Sequence, residues 1–284
     1  MSYIEFKTER LTDRITRIHA VSGEMMYLVE GDKKAALIDT GSGLGSLKPV
    51  VERLTDKPVT VLLTHGHVDH AMGAAEFSDV YMSRKDDYIF RDHGSESFRE
   101  GSFDMVVPPF SADKDDLIPT ADLNTFHDLR EGDVFDLGGV SVEIYECPGH
   151  TKGSLVMLIP EQRVLMTGDA CNPFTFMFDY YSTSIEEYEE SLKRLVPKVD
   201  GKYNRVLLSH GDGEGYCGII EDVIDVCEDI REQRNLANIP FAFRGEPAGL
   251  IAKPADYLGN PEVKPRGNIV YSKDRIRKQK KTIG

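Results

Sequence analysis

The sequence has little cysteine and no long apolar run. Its four cysteines occur among 284 residues, without any Cys-x-x-Cys spacing, at Cys147, Cys171, Cys217 and Cys227. This pattern excludes a dense disulfide framework and indicates reduced thiols in a reducing compartment. No apolar stretch approaches the roughly 20 residues that a membrane helix needs, and residues 1–7 lack the apolar core of a signal peptide. We therefore expect a cytoplasmic protein with no membrane partner.

Positive charge is also in deficit. The chain carries 34 lysines and arginines against 48 aspartates and glutamates, which gives a formal net charge of −14. Nucleic-acid binding depends on basic side chains that neutralise phosphates, so this balance argues against a nucleic-acid partner. The hydrophobic fraction of 40% and the charged fraction of 29% are ordinary for a globular protein. We expect a small-molecule substrate, and the possibility of a homo-oligomer stays open.

The most informative segment that is present spans residues 64–70 and reads Thr-His-Gly-His-Val-Asp-His. It follows an apolar run of valines and leucines, which predicts a buried strand that ends in a loop. Side chains at positions i and i+2 of an extended loop point the same way, so His65 and His67 can share one metal ion. Asp69 and His70 follow directly and can serve a second ion beside the first.

Three further candidate ligands each follow an apolar, strand-like segment. They are His150, Asp169 and His210. Taken alone, each of them is better explained as an ordinary buried or surface side chain. Imidazole and carboxylate are, however, the ligands that zinc, iron and manganese accept. Their recurrence together with the 64–70 segment therefore favours a metal site.

The rest of the chain predicts alternating strands and helices in one domain over residues 1–284, with a mixed sheet and helices packed on it. Ser184-Ile-Glu-Glu predicts a capping box that opens a helix to about Val196. Residues 84–130 lose the periodic pattern and predict an insertion, either a lid over the site or a surface excursion. Residues 240–284, rich in proline and glycine, predict a C-terminal extension that wraps the domain and ends in a solvated basic tail.

The spaced histidine motifs resemble those of metallo-β-lactamase-fold hydrolases. His-x-His-x-Asp-His at 65–70 is followed by Gly-His-Thr at 149–151, Thr-Gly-Asp at 167–169 and Ser-His-Gly at 209–211. The upstream segment Leu37–Gly41 also matches the family. The resemblance covers roughly residues 15–215. It implies an α/β fold, an αββα sandwich of two mixed β-sheets flanked by helices, with a two-metal site on one edge of the sheets.

The resemblance further implies two divalent ions, zinc in the first instance, with iron or manganese as alternatives. By this resemblance, the first ion would be bound by His65, His67 and His150, and the second by Asp69, His70 and His210. Asp169 would bridge the two ions. Asp39 would form a hydrogen bond that fixes the tautomer of a ligand histidine.

Two such ions would hold a hydroxide that attacks a carbonyl or phosphoryl centre and would stabilise the oxyanion that forms. Asp69 would orient this hydroxide and is the predicted catalytic residue. The implied activity is hydrolysis of an ester, thioester, lactone or phosphodiester of a small molecule. Two alternatives stay open: a persulfide dioxygenase with a single iron, which shares the His-x-His-x-Asp-His motif, and a metal-binding protein without hydrolytic activity.

An aromatic stretch over residues 172–181 follows Asp169 closely. It contains five aromatic rings and a methionine, which predicts an apolar wall beside the metals or, equally, rings that pack the core. Tyr27 opens the second predicted strand, and Lys152 follows His150 and can meet an anionic group. The candidate pocket residues are Tyr27, Lys152, Phe174, Phe176, Tyr180 and Tyr181.

Overall fold

The computed structural model describes residues 4–102, 114–254 and 267–279. Its strands, in chain order, are β1 (Lys7–Arg10), β2 (Ile15–His19), β3 (Met25–Glu30), β4 (Ala35–Ile38), β5 (Val59–Leu62), β6 (Val80–Met82), β7 (His127–Asp128), β8 (Val134–Asp136), β9 (Ser141–Glu146), β10 (Leu155–Ile159), β11 (Val164–Met166), β12 (Thr175–Met177), β13 (Arg205–Leu207), β14 (Ile239–Phe243), β15 (Glu246–Ile251) and β16 (Ile269–Tyr271). Its α-helices are α1 (Lys48–Leu54), α2 (Val68–Ala71), α3 (Asp87–His93), α4 (Glu96–Ser102), α5 (Ile185–Val199) and α6 (Ile219–Glu232).

Strands β1 to β7 form one sheet in chain order. The pairs up to β3–β4 are antiparallel, and the pairs from β4–β5 onwards are parallel. All six residues of β3 and all four of β4 are buried, as expected for strands covered on both faces. Gly31 begins the turn between them, where a Cβ would lie 2.1 Å from the carbonyl oxygen of Leu137. Only glycine fits this approach.

The second sheet has the strand order β13-β11-β10-β9-β8. Only its β11–β13 pair is parallel. Residues of β10 alternate between two hydrophobic clusters: Val156 and Leu158 pack under α5 and α6, whereas Leu155 and Met157 face the first sheet. This period-two alternation is how one apolar strand contributes to two layers.

Three clusters of buried hydrophobic side chains fill the space between adjacent layers. One lies between the two sheets, one joins the first sheet to α1, α2 and α3, and one joins the second sheet to α5 and α6. The order helix–sheet–sheet–helix confirms the predicted αββα sandwich with two mixed sheets. The predicted capping box of α5 is present as well, since Glu187 N donates to Ser184 Oγ at 3.2 Å and Ser184 N donates to Glu187 Oε2 at 3.0 Å.

A third sheet, absent from the sequence expectations, has the order β12-β16-β15-β14. Three of its strands come from the C-terminal extension, and β16 pairs in parallel with β12. Arg275 adds hydrogen bonds to the carbonyl oxygens of Asp179 and Ser182. Residues 255–266 and 280–284 of the predicted extension lie outside the described residues.

The predicted insertion contains β7, α3 and α4, together with short 3-10 turns. Its segment 103–113 lies outside the described residues, so the lid and the single-domain boundary stay predictions. No helix among residues 4–102, 114–254 and 267–279 is long and apolar enough to cross a membrane.

Candidate metal centre

Each candidate ligand loop follows the end of a strand. The 65–70 segment follows β5, His150 follows β9, Asp169 follows β11 and His210 follows β13. β5 belongs to the first sheet and the other three strands belong to the second. The loops from both sheets meet at one edge of the sandwich, where seven imidazole and carboxylate side chains form two sets.

The first set consists of His65, His67 and His150. Their ring nitrogens converge: His65 Nε2 lies 3.1 Å, and His150 Nε2 2.9 Å, from His67 Nδ1. The three nitrogens all lie within 4.8 Å of one another, so in the neutral rings their lone pairs can face a common centre. Three imidazole nitrogens in this arrangement suit a divalent ion such as zinc.

The second set consists of Asp69, His70, Asp169 and His210. His210 Nε2 lies 3.3 Å from both Asp69 Oδ2 and Asp169 Oδ2. His70 Nε2 lies 3.6 Å from the first of these oxygens and 3.4 Å from the second. Two imidazoles and two carboxylates therefore surround one point.

Asp169 connects the two sets. Its Oδ2 is 3.9 Å from His150 Nε2 of the first set, in addition to its approaches to His70 and His210. Among the described residues, His70 Nε2 and Asp169 Oδ1 are buried without a hydrogen-bond partner. Buried polar atoms are rarely left unpaired, so these two atoms fit a site that accepts divalent ions.

Asp39 orients histidines of both sets. Its Oδ2 lies 2.8 Å from His70 Nδ1 and accepts a hydrogen bond from Thr64 Oγ1, also at 2.8 Å. Because the Thr64 hydroxyl proton goes to Asp39, its oxygen accepts from His65 Nδ1 at 3.0 Å. Both imidazoles then carry their proton on Nδ1 and present the Nε2 lone pair to the site. This is the arrangement that metal-ligating histidines require.

The ring of His150 is oriented by a backbone carbonyl group rather than by Asp39. Its Nδ1 donates to the carbonyl oxygen of Phe176 at 2.8 Å, which leaves Nε2 as the lone-pair atom. Phe176 belongs to β12, so the third sheet supports a ligand of the first set.

The direction of the pKa shift differs between the histidines of the first set and those of the second. Burial, followed by the neighbouring imidazoles, lowers the pKa of His65 and His67 well below the usual value, which keeps both rings neutral. Burial also acts to lower the pKa of His70 and His210, but the nearby carboxylates outweigh it and raise both values, that of His210 to about 10. The carboxylates of Asp69 and Asp169 therefore favour the protonated form of both imidazoles, whereas a bound cation would favour the neutral form with its Nε2 lone pair.

Asp86 is a buried residue that sequence reasoning missed. Its carboxylate accepts three hydrogen bonds, from Gly66 N at 3.0 Å, Gly153 N at 2.7 Å and Thr151 Oγ1 at 2.6 Å. These donors belong to the loops that carry His65, His67 and His150. A Cβ at Gly153 would lie 2.6 Å from the Asp86 carboxylate, so the close approach depends on glycine. Burial raises the pKa of Asp86, and these hydrogen bonds oppose the shift.

His93 was also missed. It ends α3, where its Nδ1 accepts a hydrogen bond from Val68 N at 3.1 Å. Its ring stacks on His67 at a centroid distance of 4.9 Å and on Phe98 at 3.9 Å. Burial lowers its pKa to about 4. The burial of Ile89, Phe90 and His93 on one face of α3 is the helical pattern that indicates a buried histidine here.

The candidate pocket residues are at different distances from this centre. Tyr181 lies close, with its ring 5.9 Å from that of His67, and its hydroxyl donates to Asp92. Exposed Tyr180 donates to the same carboxylate at 2.8 Å. Lys152 Nζ lies 5.5 Å from the ring centroid of Tyr88.

Phe174 is buried next to Phe176. Tyr27 lies in the core between the sheets and donates its hydroxyl to the carbonyl oxygen of Leu208. This position favours support of the His210 loop over contact with a substrate.

A sequence model of the metallo-beta-lactamase superfamily matches residues 21–210, the span that contains both ligand sets. The chain belongs to this superfamily. The resemblance of the histidine motifs is thereby confirmed. A solved metallo-beta-lactamase from Pontibacter korlensis shares the superfamily fold with a TM-score of 0.55 and 17% identity, over 78% of this chain and 98% of that one.

Two relatives of the chain are named as a thioesterase and a hydrolase. The acyl-coenzyme A thioesterase MBLAC2 of Gallus gallus is 26% identical over 197 residues, which is 65% of this chain and 71% of that protein. The hydroxyacylglutathione hydrolase GloC of Haemophilus influenzae is 30% identical over 146 residues, 49% of this chain and 62% of that protein. The chain spans about three fifths of the length of the first curated relatives that it matches.

Proposed function

We propose that this protein is a hydrolase that uses two divalent metal ions, zinc in the first instance, to cleave an ester-type bond of a small molecule in a reducing, cytoplasmic compartment. The observation that carries the proposal is the position of Asp169 Oδ2, which is 3.9 Å from the first ligand set and 3.3–3.4 Å from two histidines of the second. A carboxylate between a set of three imidazoles and a second set of two imidazoles and a carboxylate is suited to bridging two ions.

In this proposal His65, His67 and His150 would hold one ion, and Asp69, His70 and His210 would hold the other, with Asp169 as a ligand available to both. Bound ions of this kind lower the pKa of a coordinated water and polarise a carbonyl or phosphoryl oxygen. Asp39 and the Phe176 carbonyl keep the ligand lone pairs directed at the centre.

Asp69 is the proposed catalytic residue. The side chains of Asp69 and His210 are 36% and 42% exposed, whereas that of His70 is 1% exposed. Substrate and water therefore reach the centre on the Asp69 and His210 side. The Asp69 carboxylate on that side is available to orient a water molecule, to accept a proton from that water and to pass it to the leaving group.

The substrate proposal rests on the chemistry named for the relatives. An acyl-coenzyme A thioester and a hydroxyacylglutathione thioester share a carbonyl carbon bonded to sulfur. We infer a thioester or a related oxygen ester for this chain, with a lactone or a phosphodiester as further ester-type substrates. Lys152 and Tyr181 are the proposed polar contacts beside the first ligand set.

The test combines metal content with turnover. The wild-type protein, purified without a chelator, is expected to hold two metal ions per chain and to hydrolyse members of a panel of esters, thioesters, lactones and phosphodiesters. Asp169→Asn is expected to lose at least one ion and about 100-fold or more in kcat/KM, since it removes charge from a shared ligand. Asp212→Asn, which changes an exposed aspartate two residues after His210, is the matched control and is expected to resemble wild type.

Other outcomes identify the alternatives. One iron per chain with oxygen consumption on a persulfide would support a dioxygenase. A full metal complement without turnover of any panel member would support a metal-binding protein. Retention of wild-type rate by Asp169→Asn would overturn the bridging assignment.

A further inference from the structure

Four phenylalanine rings form a cluster that belongs to none of the three buried cores among the described residues. The phenylalanine cluster consists of Phe176, Phe178, Phe241 and Phe243. Ring centroids lie 5.1 Å apart for Phe176 and Phe178, 5.4 Å for Phe176 and Phe241, and 5.5 Å for Phe178 and Phe243. All four side chains are half-buried, so the cluster keeps an accessible apolar surface.

The strand pattern explains how this surface arises. Thr175 and Met177 of β12 are fully buried, so the intervening Phe176 points to the opposite face. The β14–β15 pairing shifts register between Phe241 and Ala242, but Phe241 and Phe243 both contact Phe176 and Phe178 and so lie on the same side of the sheet. Because β12 and β14 are the two edges of the third sheet, their rings meet only if that sheet curls.

The phenylalanine cluster is connected to the candidate metal centre by two chains of contacts. On one side, the carbonyl oxygen of Phe176 accepts the hydrogen bond of His150. On the other side, the guanidinium carbon of Arg244 lies 5.8 Å from the ring of Phe243 and 5.2 Å from the ring of Phe98. Phe98 stacks on His93, which stacks on His67. The cluster is therefore connected to one candidate ligand through the Phe176 backbone, and to a second, His67, through the Arg244 guanidinium and the stacked rings of Phe98 and His93.

We infer that the phenylalanine cluster binds the apolar acyl chain of an ester or thioester whose carbonyl lies at the metal centre. The inference rests on the proposed hydrolytic function and adds the substrate class, a hydrophobic acyl group rather than a small polar one. Each methylene buried against the rings is expected to favour binding by about fourfold. A cluster that only packed its own sheet would not discriminate between acyl chain lengths.

The test compares p-nitrophenyl acetate, hexanoate and decanoate in wild type, Phe241→Ala and Phe243→Ala. The matched control is Phe135→Ala, which removes another half-buried phenylalanine, on β8, that packs beside Tyr81. Wild type is expected to prefer decanoate over acetate in kcat/KM. Each cluster variant is expected to lose about tenfold of that preference while its acetate hydrolysis stays within about twofold. Phe135→Ala is expected to keep the preference.

An unchanged chain-length preference in both cluster variants, with the fold verified by circular dichroism, would overturn the inference. Calorimetric titration with decanoate and acetate tests the cluster separately from turnover. Both acids carry the same carboxylate, so the difference in affinity reports the chain. If the wild type hydrolyses no ester, the proposed function fails, yet tighter binding of decanoate that is lost in Phe241→Ala still supports the cluster. Equal binding of the two acids would reject it.

Discussion

At the scale of single residues, one buried carboxylate controls histidines of both ligand sets. Asp39 contacts His70 directly and His65 through the Thr64 hydroxyl. It also accepts a hydrogen bond from Thr64 N at 2.7 Å. Its backbone has φ of 61°, a left-handed conformation that costs free energy for a residue with a side chain. The hydrogen bonds of the carboxylate account for this conformation, since they fix Asp39 where β4 ends.

Asp86 gives the first prediction. Asp86→Asn replaces one carboxylate oxygen with an amide nitrogen, so at least one of its three buried donors loses its acceptor. We expect the free energy of unfolding to fall by about 1–3 kcal/mol and metal affinity to fall by about 10- to 100-fold. Urea unfolding and competition with a chromogenic chelator measure the two effects.

Asp136→Asn is the control for this prediction, because the exposed Asp136 accepts a single hydrogen bond, from Gly138 N. It is expected to change stability by less than about 0.5 kcal/mol. If Asp86→Asn behaved like this control in metal affinity, Asp86 would not position the ligand loops.

At the scale of elements, the ligand loops were predictable because each follows an apolar run. Leu62, Glu146, Met166 and Leu207 are the last residues of strands β5, β9, β11 and β13, and the first candidate ligand of each loop follows within four residues. An apolar run marks a strand, and the residues after its end lie at the sheet edge. The spacing of His65, His67, Asp69 and His70 therefore predicted their convergence from local sequence alone.

The supporting contacts were not predictable in this way. Asp86 accepts hydrogen bonds from loops that lie 20 and 67 positions away in the chain. A local sequence pattern does not predict contacts between residues so far apart. The third sheet pairs β12 with β16, in a region whose proline and glycine content indicated only an irregular extension. His93 was missed because residues 84–130 were expected to form an insertion without a periodic pattern.

The second prediction concerns α5, whose N-terminus lies beside the His150 loop. Thr183 N, just before the capping residue, donates to the Gly149 carbonyl at 2.9 Å. Ser184→Ala removes the side-chain cap and is expected to lower the free energy of unfolding by about 1 kcal/mol. The metal content is expected to stay unchanged, since the Gly149 contact uses backbone atoms.

Thermal and urea unfolding, together with metal analysis, measure this effect. Ser78→Ala, at an exposed serine between Phe77 and Asp79, is the control and is expected to leave stability unchanged. A loss of bound metal in Ser184→Ala would mean that the cap also supports His150.

At the scale of the whole molecule, the proposed metal centre lies where the two sheets meet, so ions held there would connect both halves of the sandwich. Ligands from β5 belong to one sheet, and those from β9, β11 and β13 belong to the other. Binding to the folded protein alone stabilises it by mass action. Removal of the ions is therefore expected to lower the melting temperature of the entire fold.

The third prediction is the pH dependence of this effect. The raised pKa of His70 and His210 stabilises the ion-free protein, with the contribution of His210 fully present below the ordinary pKa of 6.5 and lost as pH rises towards about 10. Metal ions require the neutral imidazoles, so their binding strengthens over the same range. The melting-temperature difference between zinc-loaded and chelator-treated protein should therefore grow from pH 6 to pH 8. A difference that shrinks over this range would contradict the assignment of both histidines as ligands.

Anomalous diffraction from a crystal of the zinc-loaded protein, recorded on both sides of the zinc absorption edge, tests the two-ion centre most directly. The account predicts two anomalous peaks, one among His65, His67 and His150 and one among Asp69, His70 and His210, with Asp169 between them. A single peak, or peaks away from these side chains, would contradict it.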